Sequence, residues 1–292
     1  MKRLFCFLIV LALCMPFAVS CEKQNEGESA TGADTAGNNT TVESERQGTP
    51  VETTDSMIEA VVNWREVERW SISSYASMTM TDNGDTENAQ GWALAFEGSK
   101  IPGEKGNLYK GKNHMISSGM SVELAYEIYY YDGWFYQIYR DATVEEASTY
   151  EKFEREEGEF LSDYEGIVPT LANEEELKKA EAIDFGDYVV ITTSLGEGRA
   201  RDELIGDIGY IAERNGISKD DISIVSAAVS YEIADGKLEG FIGSYTLEML
   251  VDGVVRRYAM EKSCVINATG DDVEDFTLPE GYENYVDIGL TE

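Results

Sequence analysis

VSAAVSYEIADGKLEGFIGSYTLEMLVDGVVRRYAMEKSCVI, residues 225–266, is three apolar-rich stretches separated by Asp235-Gly236 and Asp252-Gly253. Asp-Gly marks tight hairpins because both residues tolerate positive φ. Side chains in a strand alternate between faces, so the loop length decides which of them share a side. A two-residue loop at Asp235-Gly236 puts Val229 beside Ile242 and leaves Phe241, Tyr245 and Leu247 against the other face. A three-residue loop over 234–236, with Gly236 left-handed, gathers Val225, Ala227, Val229 and Tyr231 with Phe241, Gly243, Tyr245, Leu247 and Met249. A two-residue loop at Asp252-Gly253 continues that face through Tyr258, Met260, Cys264 and Ile266. The expected result is three consecutive strands sharing one apolar wall.

The same alternation extends upstream. A two-residue loop at Asp132-Gly133 sets Tyr130 opposite Phe135 and Tyr126 opposite Tyr139, with Leu124 and Ile128 on that side and Glu123 and Glu127 on the wetter one. Ala76, Met78 and Met80, then Trp92, Leu94 and Phe96 beyond the Asn83-Gly84 turn, predict two further half-buried strands. Helical spacing appears over 56–70, where Met57, Ala60, Val61, Trp64 and Val67 share a face and Thr54 or Asp55 caps the start. Helices are also expected over 144–157, 172–182 and 199–214, the last with the stripe Leu204, Ile205, Ile208, Ile211 and Ala212. Strands grouped apart from helices give an α+β fold, a large antiparallel sheet with helices against one face.

The N-terminus reads as an address. Met1-Lys2-Arg3 is basic, 4–15 is an unbroken apolar run, and Ala18-Val19-Ser20 precedes Cys21 with small residues, the three parts of an export signal. The run falls short of the roughly 20 residues a spanning helix needs, and no later stretch reaches that length. These residues resemble the lipobox of bacterial lipoproteins, although Ala18 stands where leucine is commoner. The resemblance implies cleavage between Ser20 and Cys21 and lipidation of the Cys21 thiol, which places the chain at the outer face of a cell membrane. From Glu22 to Asp55 there is no aromatic residue, Leu or Ile, so this segment reads as a flexible polar tether spanning roughly 30 to 35 Å. The expected organisation is a signal over 1–20, lipidated cysteine and tether over 21–55, and one folded domain over 56–292.

Net charge is −33, and loss of Lys2 and Arg3 with the signal leaves −35. Repulsion from phosphates makes nucleic acid and anionic lipid surfaces poor partners. Cys6 and Cys14 leave with the signal and Cys21 carries lipid, so Cys264 has no partner for an internal disulfide and the fold relies on packing.

The capped helix before Ser74-Tyr75-Ala76-Ser77-Met78-Thr79-Met80, the hairpin over 129–136, the run from Ser230 through Asp235-Gly236-Lys237, and the terminal Leu278-Pro279-Glu280 together resemble the LolA-like lipoprotein fold. The likeness is closer to lipoproteins of bacteria lacking an outer membrane. It covers most of 56–287 and rests on element order, not on a catalytic signature. It implies a sheet curved into a half-barrel, covered by helices, around a hydrophobic cavity that takes lipid or lipoprotein cargo.

Residue chemistry points away from catalysis. His114 is the only histidine, where a triad or metal site generally needs further partners. Cys264 falls on the apolar face, which suits a buried inert thiol. Gly196-Glu197-Gly198 has the context of a phosphate loop, but Arg201 stands where the third glycine belongs, so a connecting turn is expected. The acidic runs Glu151, Glu154, Glu156, Glu157, Glu159 and Asp271, Asp272, Glu274, Asp275 lack the spacing of a calcium loop and read as solvated faces. No metal and no cofactor is expected. The distinctive feature is aromatic: Tyr126, Tyr129, Tyr130, Tyr131, Trp134, Phe135, Tyr136 and Tyr139 crowd one hairpin. Tyr129, Tyr131, Trp134 and Tyr136 fall opposite Tyr130 and Phe135, so both faces are aromatic, and this hairpin is the candidate ligand or partner contact.

The expected protein is thus a non-catalytic, lipid-anchored surface lipoprotein binding a hydrophobic ligand or lipid; the alternative is an envelope structural or interaction module whose sheet is filled by its own side chains. Cys21→Ser should abolish incorporation of an alkyne fatty acid and release the protein from the membrane fraction, because stable anchoring takes two or more acyl chains. Unchanged labelling and membrane retention in the variant would exclude the lipoprotein assignment.

Overall fold

The computed structural model describes residues 48–86, 89–117, 120–141, 148–157, 171–200, 216–218 and 221–289. Residues 46–292 form one compact unit, and the signal and most of the tether lie outside the described residues. The unit begins earlier than expected: β1 (Thr49–Val51) pairs with β8 (Glu181–Asp184), so the tether's last residues belong to the sheet.

The remaining strands are β2 (Trp70–Asp82), β3 (Gln90–Gly103), β4 (Gly106–Ser117), β5 (Met120–Tyr131), β6 (Trp134–Asp141), β7 (Ser148–Glu154), β9 (Val189–Ser194), β10 (Ser223–Ala234), β11 (Lys237–Val251), β12 (Val254–Thr269) and β13 (Val286–Asp287). All join one 13-stranded sheet in the order β1-β8-β9-β10-β11-β12-β2-β3-β4-β5-β6-β7-β13. Neighbours are antiparallel except β13, which lies parallel to β7.

The Asp-Gly turns form as their chemistry demands: Asp132 and Gly133 take φ of 51° and 79°, Asp235 and Gly236 50° and 72°, Asp252 and Gly253 51° and 81°. All three are two-residue loops, closed by Tyr131 and Trp134, Ala234 and Lys237, and Val251 and Val254. The expected three-residue loop at the middle turn is therefore corrected. The expected face is nevertheless kept, because the register shifts by one between Ile233 opposite Leu238 and Glu232 opposite Gly240, leaving Glu239 as a bulge. Beyond it Tyr231 faces Phe241, Val229 faces Gly243 and Ala227 faces Tyr245. A second shift between Ile224 and Ser226 expels Val225, which is 52% exposed and not on the wall where its spacing placed it.

Among the described residues the helices are fewer and shorter than the sequence suggests. α1 (Asp55–Val62) starts at Thr54, whose side chain accepts from the Met57 amide, and buries Ile58 and Val61. It stops before the expected 70 because a 3-10 turn over Asn63–Glu66 and extended backbone at Val67 lead into β2. That turn brings Trp64 within 6.4 Å of both Trp70 and Phe241. Residues 148–154 of the expected helix over 144–157 are strand β7; Thr149, Glu151 and Phe153 alternate onto one face, and Phe153 packs 4.8 Å from Phe135. The expected helix over 172–182 is the single turn α2 (Glu174–Leu177), closed by an Asn173–Glu176 capping box, followed by β8. The stripe over 204–212 lies outside the described residues. The described chain is thus a large antiparallel sheet with few helices.

One core cluster runs along the sheet, from Ala182 and Ile191 through Val229, Tyr231, Phe241, Tyr245, Leu247, Tyr258, Met260, Cys264, Ile72, Ala76 and Phe96 to Tyr109, Tyr130, Phe135 and Phe153. Leu247 is 0% exposed on the wall, whereas Leu250 on the same strand is 63% exposed. Leu247→Ala should cost about 2–5 kcal/mol in urea unfolding, while Leu250→Ala should stay within about 0.5 kcal/mol. Equal losses at the two positions would contradict this assignment of faces.

Candidate functional site

The wall is apolar with a small polar inset. On β12 the inward residues are Tyr258, Met260, Lys262, Cys264 and Ile266, and Lys262 is only 2% exposed. Its neighbours across the sheet are Gly243 on β11 and Ala76 on β2. Two very small residues thus flank the longest side chain of the row. A Cβ at Gly243 would collide with the Tyr245 hydroxyl, so the Tyr245 ring lies over the glycine and its polar end reaches the Lys262 row. Ser74, opposite Cys264, is 5% exposed, and its Oγ has no hydrogen-bond partner among the described residues. Asn113 Oδ1, one strand beyond Phe96 in the Ser74 row, is likewise buried without a partner. A buried donor or acceptor left unmade costs about 1–3 kcal/mol, and taking an ammonium out of water costs several.

Alternation alone should have flagged Lys262 and Ser74. Each interrupts an otherwise apolar series, Tyr258-Met260-Cys264-Ile266 in one case and Ala76-Met78-Met80 in the other. The reading of the strands passed over them because a mostly apolar face satisfies the pattern without its exceptions.

The aromatic hairpin divides between two clusters. Tyr130 and Phe135 belong to the main core, and the Tyr130 hydroxyl donates to the Arg155 carbonyl at 3.1 Å. On the opposite face Tyr129 and Tyr136 are buried at 6% and 5% exposure with Ile138 and Tyr285. Tyr282 and Tyr285 meet Tyr136 edge-on at 5.5 and 6.1 Å, so the chain's own C-terminal segment covers that side. Trp134 and Tyr131 are partly buried; Lys152 sits 5.5 Å over the Trp134 ring, and the Lys105 amide donates to the Tyr131 hydroxyl at 3.2 Å. Tyr139 is half-buried opposite Tyr126, whose side chain lies outside the described residues. The hairpin tip borders an open depression of about 420 Å³ lined by Asp132, Gly133, Trp134, Glu154, Arg155 and Glu156. Its rim is chiefly charged.

Cys264 is fully buried, and burial pushes its thiol well above the usual range, which withholds the thiolate. His114 is a β4 residue opposite Ala95 and Ala125; its side chain lies outside the described residues. The Gly196 amide donates to Glu176 Oε1 at 3.2 Å, so a carboxylate of this chain engages the segment that resembled a phosphate loop, in which Glu197 and Gly198 are already helical. The acidic runs separate in space. Glu157 accepts from the Tyr109 hydroxyl at 2.9 Å and from Asn107 at 3.0 Å, Glu151 accepts from Gln137 at 2.6 Å, and Asp275 pairs with Arg69 at 2.7 Å. Among the described residues no group of three His, Cys, Asp or Glu side chains could hold a metal, and no helix is long and apolar enough to cross a membrane. Ser20 and Cys21 lie outside the described residues.

No protein-family model matches the chain, and no curated protein does. Among solved structures, similarity is found to DynF from the dynemicin biosynthesis pathway of Micromonospora chersina, at 8% identity and TM-score 0.19 over 81% of this chain and 92% of that one. A beta-barrel-like protein of a domain of unknown function from Brucella abortus is similar at 9% identity and TM-score 0.19, over 66% of this chain and 97% of that one. Similarity at this level assigns no function.

The covered aromatic face makes a pH-dependent prediction. Burial, and then the neighbouring Tyr282, push the Tyr136 hydroxyl up to about 12. The fold therefore favours the neutral phenol: its contribution is complete below the ordinary phenol range near 10 and is lost as pH rises from there through about 12. Tyr136→Phe should flatten the fall of the urea midpoint over that window. An unchanged slope would place the Tyr136 hydroxyl in water and not under the C-terminal segment.

Proposed function

We propose that the chain is a non-catalytic, lipid-anchored lipoprotein on the extracytoplasmic face of a cell membrane, holding a hydrophobic ligand such as a lipid against the inner wall of a half-barrel. Cys21 supplies the anchor and the tether gives the folded unit reach. In this reading the sheet curves and helices cover its inner face. α1 lies over β10 and β11, and the apolar stripe Leu204, Ile205, Ile208, Ile211 and Ala212 is the candidate for further cover on its sequence pattern. The observation that carries the reading is the apolar wall continuing along the sheet from β8 to β7. The protonated, buried Cys264 supports a non-catalytic role.

The alternative, an envelope structural or interaction module with a filled core, is favoured by how little of the wall is accessible: Tyr231, Leu247 and Tyr258 are each 0% exposed. The two readings separate by what the protein carries. Full chain isolated from its own envelope should, by native mass spectrometry and solvent extraction, release acyl lipid in addition to the covalent anchor. No extractable lipid, together with a wall too closely filled for the roughly 300 Å³ an ordinary ligand pocket needs, would establish the filled module instead.

A further inference from the structure

We infer that the C-terminal segment, residues 273–288, is an autoinhibitory strap that opens without the core and uncovers a strand-pairing site on β7, one that fits an extended, cationic segment of another protein. The inference does not depend on the carrier reading and concerns the opposite face of the sheet.

How the strap is held sets it apart from the rest of the fold. Its apolar contacts form two small clusters, Val273 with Ile101 and Leu108, and Tyr285 with Tyr129, Tyr136 and Ile138, and neither belongs to the main core. Its strand β13 makes two ladder pairs with β7, Val286 with Glu151 and Asp287 with Lys152, along a strand of 7 residues. These pairs run parallel, the less stable arrangement per residue. Lys152 pins the Glu283 carbonyl at 2.8 Å, and Arg69 pins the Val273 carbonyl and Asp275 at 2.8 and 2.7 Å. Val286 and Ile288 are 64% and 43% exposed, so they add little burial. A segment with few buried apolar contacts opens at a free energy below that of global unfolding.

Opening leaves a defined surface. Tyr129, Tyr136 and Ile138 lose the cover of Tyr285, and Tyr150, already 47% exposed, loses the ring 5.3 Å from it. The β7 edge is freed beside them, and an open edge is a template for an incoming strand. An antiparallel partner can pair along all of Ser148–Glu154 where β13 pairs with two residues. Charge decides the chemistry of that partner. The chain carries −33, and exposed Glu154 and Glu156 border the depression of about 420 Å³ at the C-terminal end of β7, which Asp132, Trp134 and Arg155 also line. Basic residues opposite Glu151 and Glu154, with an aromatic residue opposite Tyr150, complement this edge. A second β7 is a poor partner, because centring the pair on Glu151 or on Lys152 sets like charges opposite each other.

The test uses the full chain in amphipol and a fluorescent peptide built to pair with β7, with arginine opposite Glu151 and Glu154, valine opposite Phe153, threonine opposite Lys152 and tyrosine opposite Tyr150. In the double variant Lys152→Cys, Asp287→Cys the new thiols stand at a paired position. Adjacent strands lie about 4.8 Å apart, within disulfide reach. Reduced, this variant should bind the peptide at least about tenfold more tightly than oxidised, because locking the strap removes the competent state. Tyr285→Ala should bind several-fold more tightly than wild type. Equal binding by the oxidised and reduced forms, or binding by neither, overturns the inference. So does equal binding of a control peptide with glutamate in place of arginine, or a preference for a peptide copied from residues 281–289, which assigns the face to strap exchange between copies. Hydrogen exchange needs no variant: in wild type, amides of 282–288 should exchange well ahead of those in β11. Exchange of both only through global unfolding overturns the strap, even where a variant misfolds.

Discussion

Parity is the constraint on which the rest of this structure depends. A strand has two faces, and a slip of one residue exchanges them. Between β10 and β12 the chain reverses twice, and at each reversal Asp-Gly imposes a two-residue turn. At Asp252-Gly253 that turn joins the two apolar faces directly. At Asp235-Gly236 it would join the apolar face of β11 to the wrong side of β10, and the bulge at Glu239 restores the match. Turn chemistry and face chemistry conflict there, and one unpaired residue reconciles them. The wall of Val229, Tyr231, Tyr245, Leu247, Tyr258 and Met260 follows from that local repair.

Much of this was legible because period-two alternation survives in a sheet with one dry face. The Asp132-Gly133 register, the membership of the wall apart from Val225, and the burial of Cys264 follow from spacing alone. The loop at 234–236 was misjudged because two different backbones, a longer loop and a short loop with a bulge, give the same parity. Strand β7 was misjudged because charged residues dominate 151–157, although Phe153 alone carries its contact with Phe135. The C-terminal cover over Tyr129 and Tyr136 was not legible: no local pattern links Tyr282 and Tyr285 to a hairpin some 150 residues earlier. Lys262 and Ser74 were present as exceptions, and exceptions become informative only when burial is known.

The aromatic hairpin contributes to two separate clusters on opposite faces of the sheet, and only one of them is continuous with the β12 wall. The hairpin's outer rings are used by the chain itself, locking the C-terminal segment across the sheet to β13. The two faces of one sheet are thereby covered in different ways.

The most direct test of this account is an experimental structure of the full chain isolated from its own envelope without delipidation. The account predicts an elongated apolar molecule along the inner wall. A wall closed entirely by side chains of this protein would contradict it.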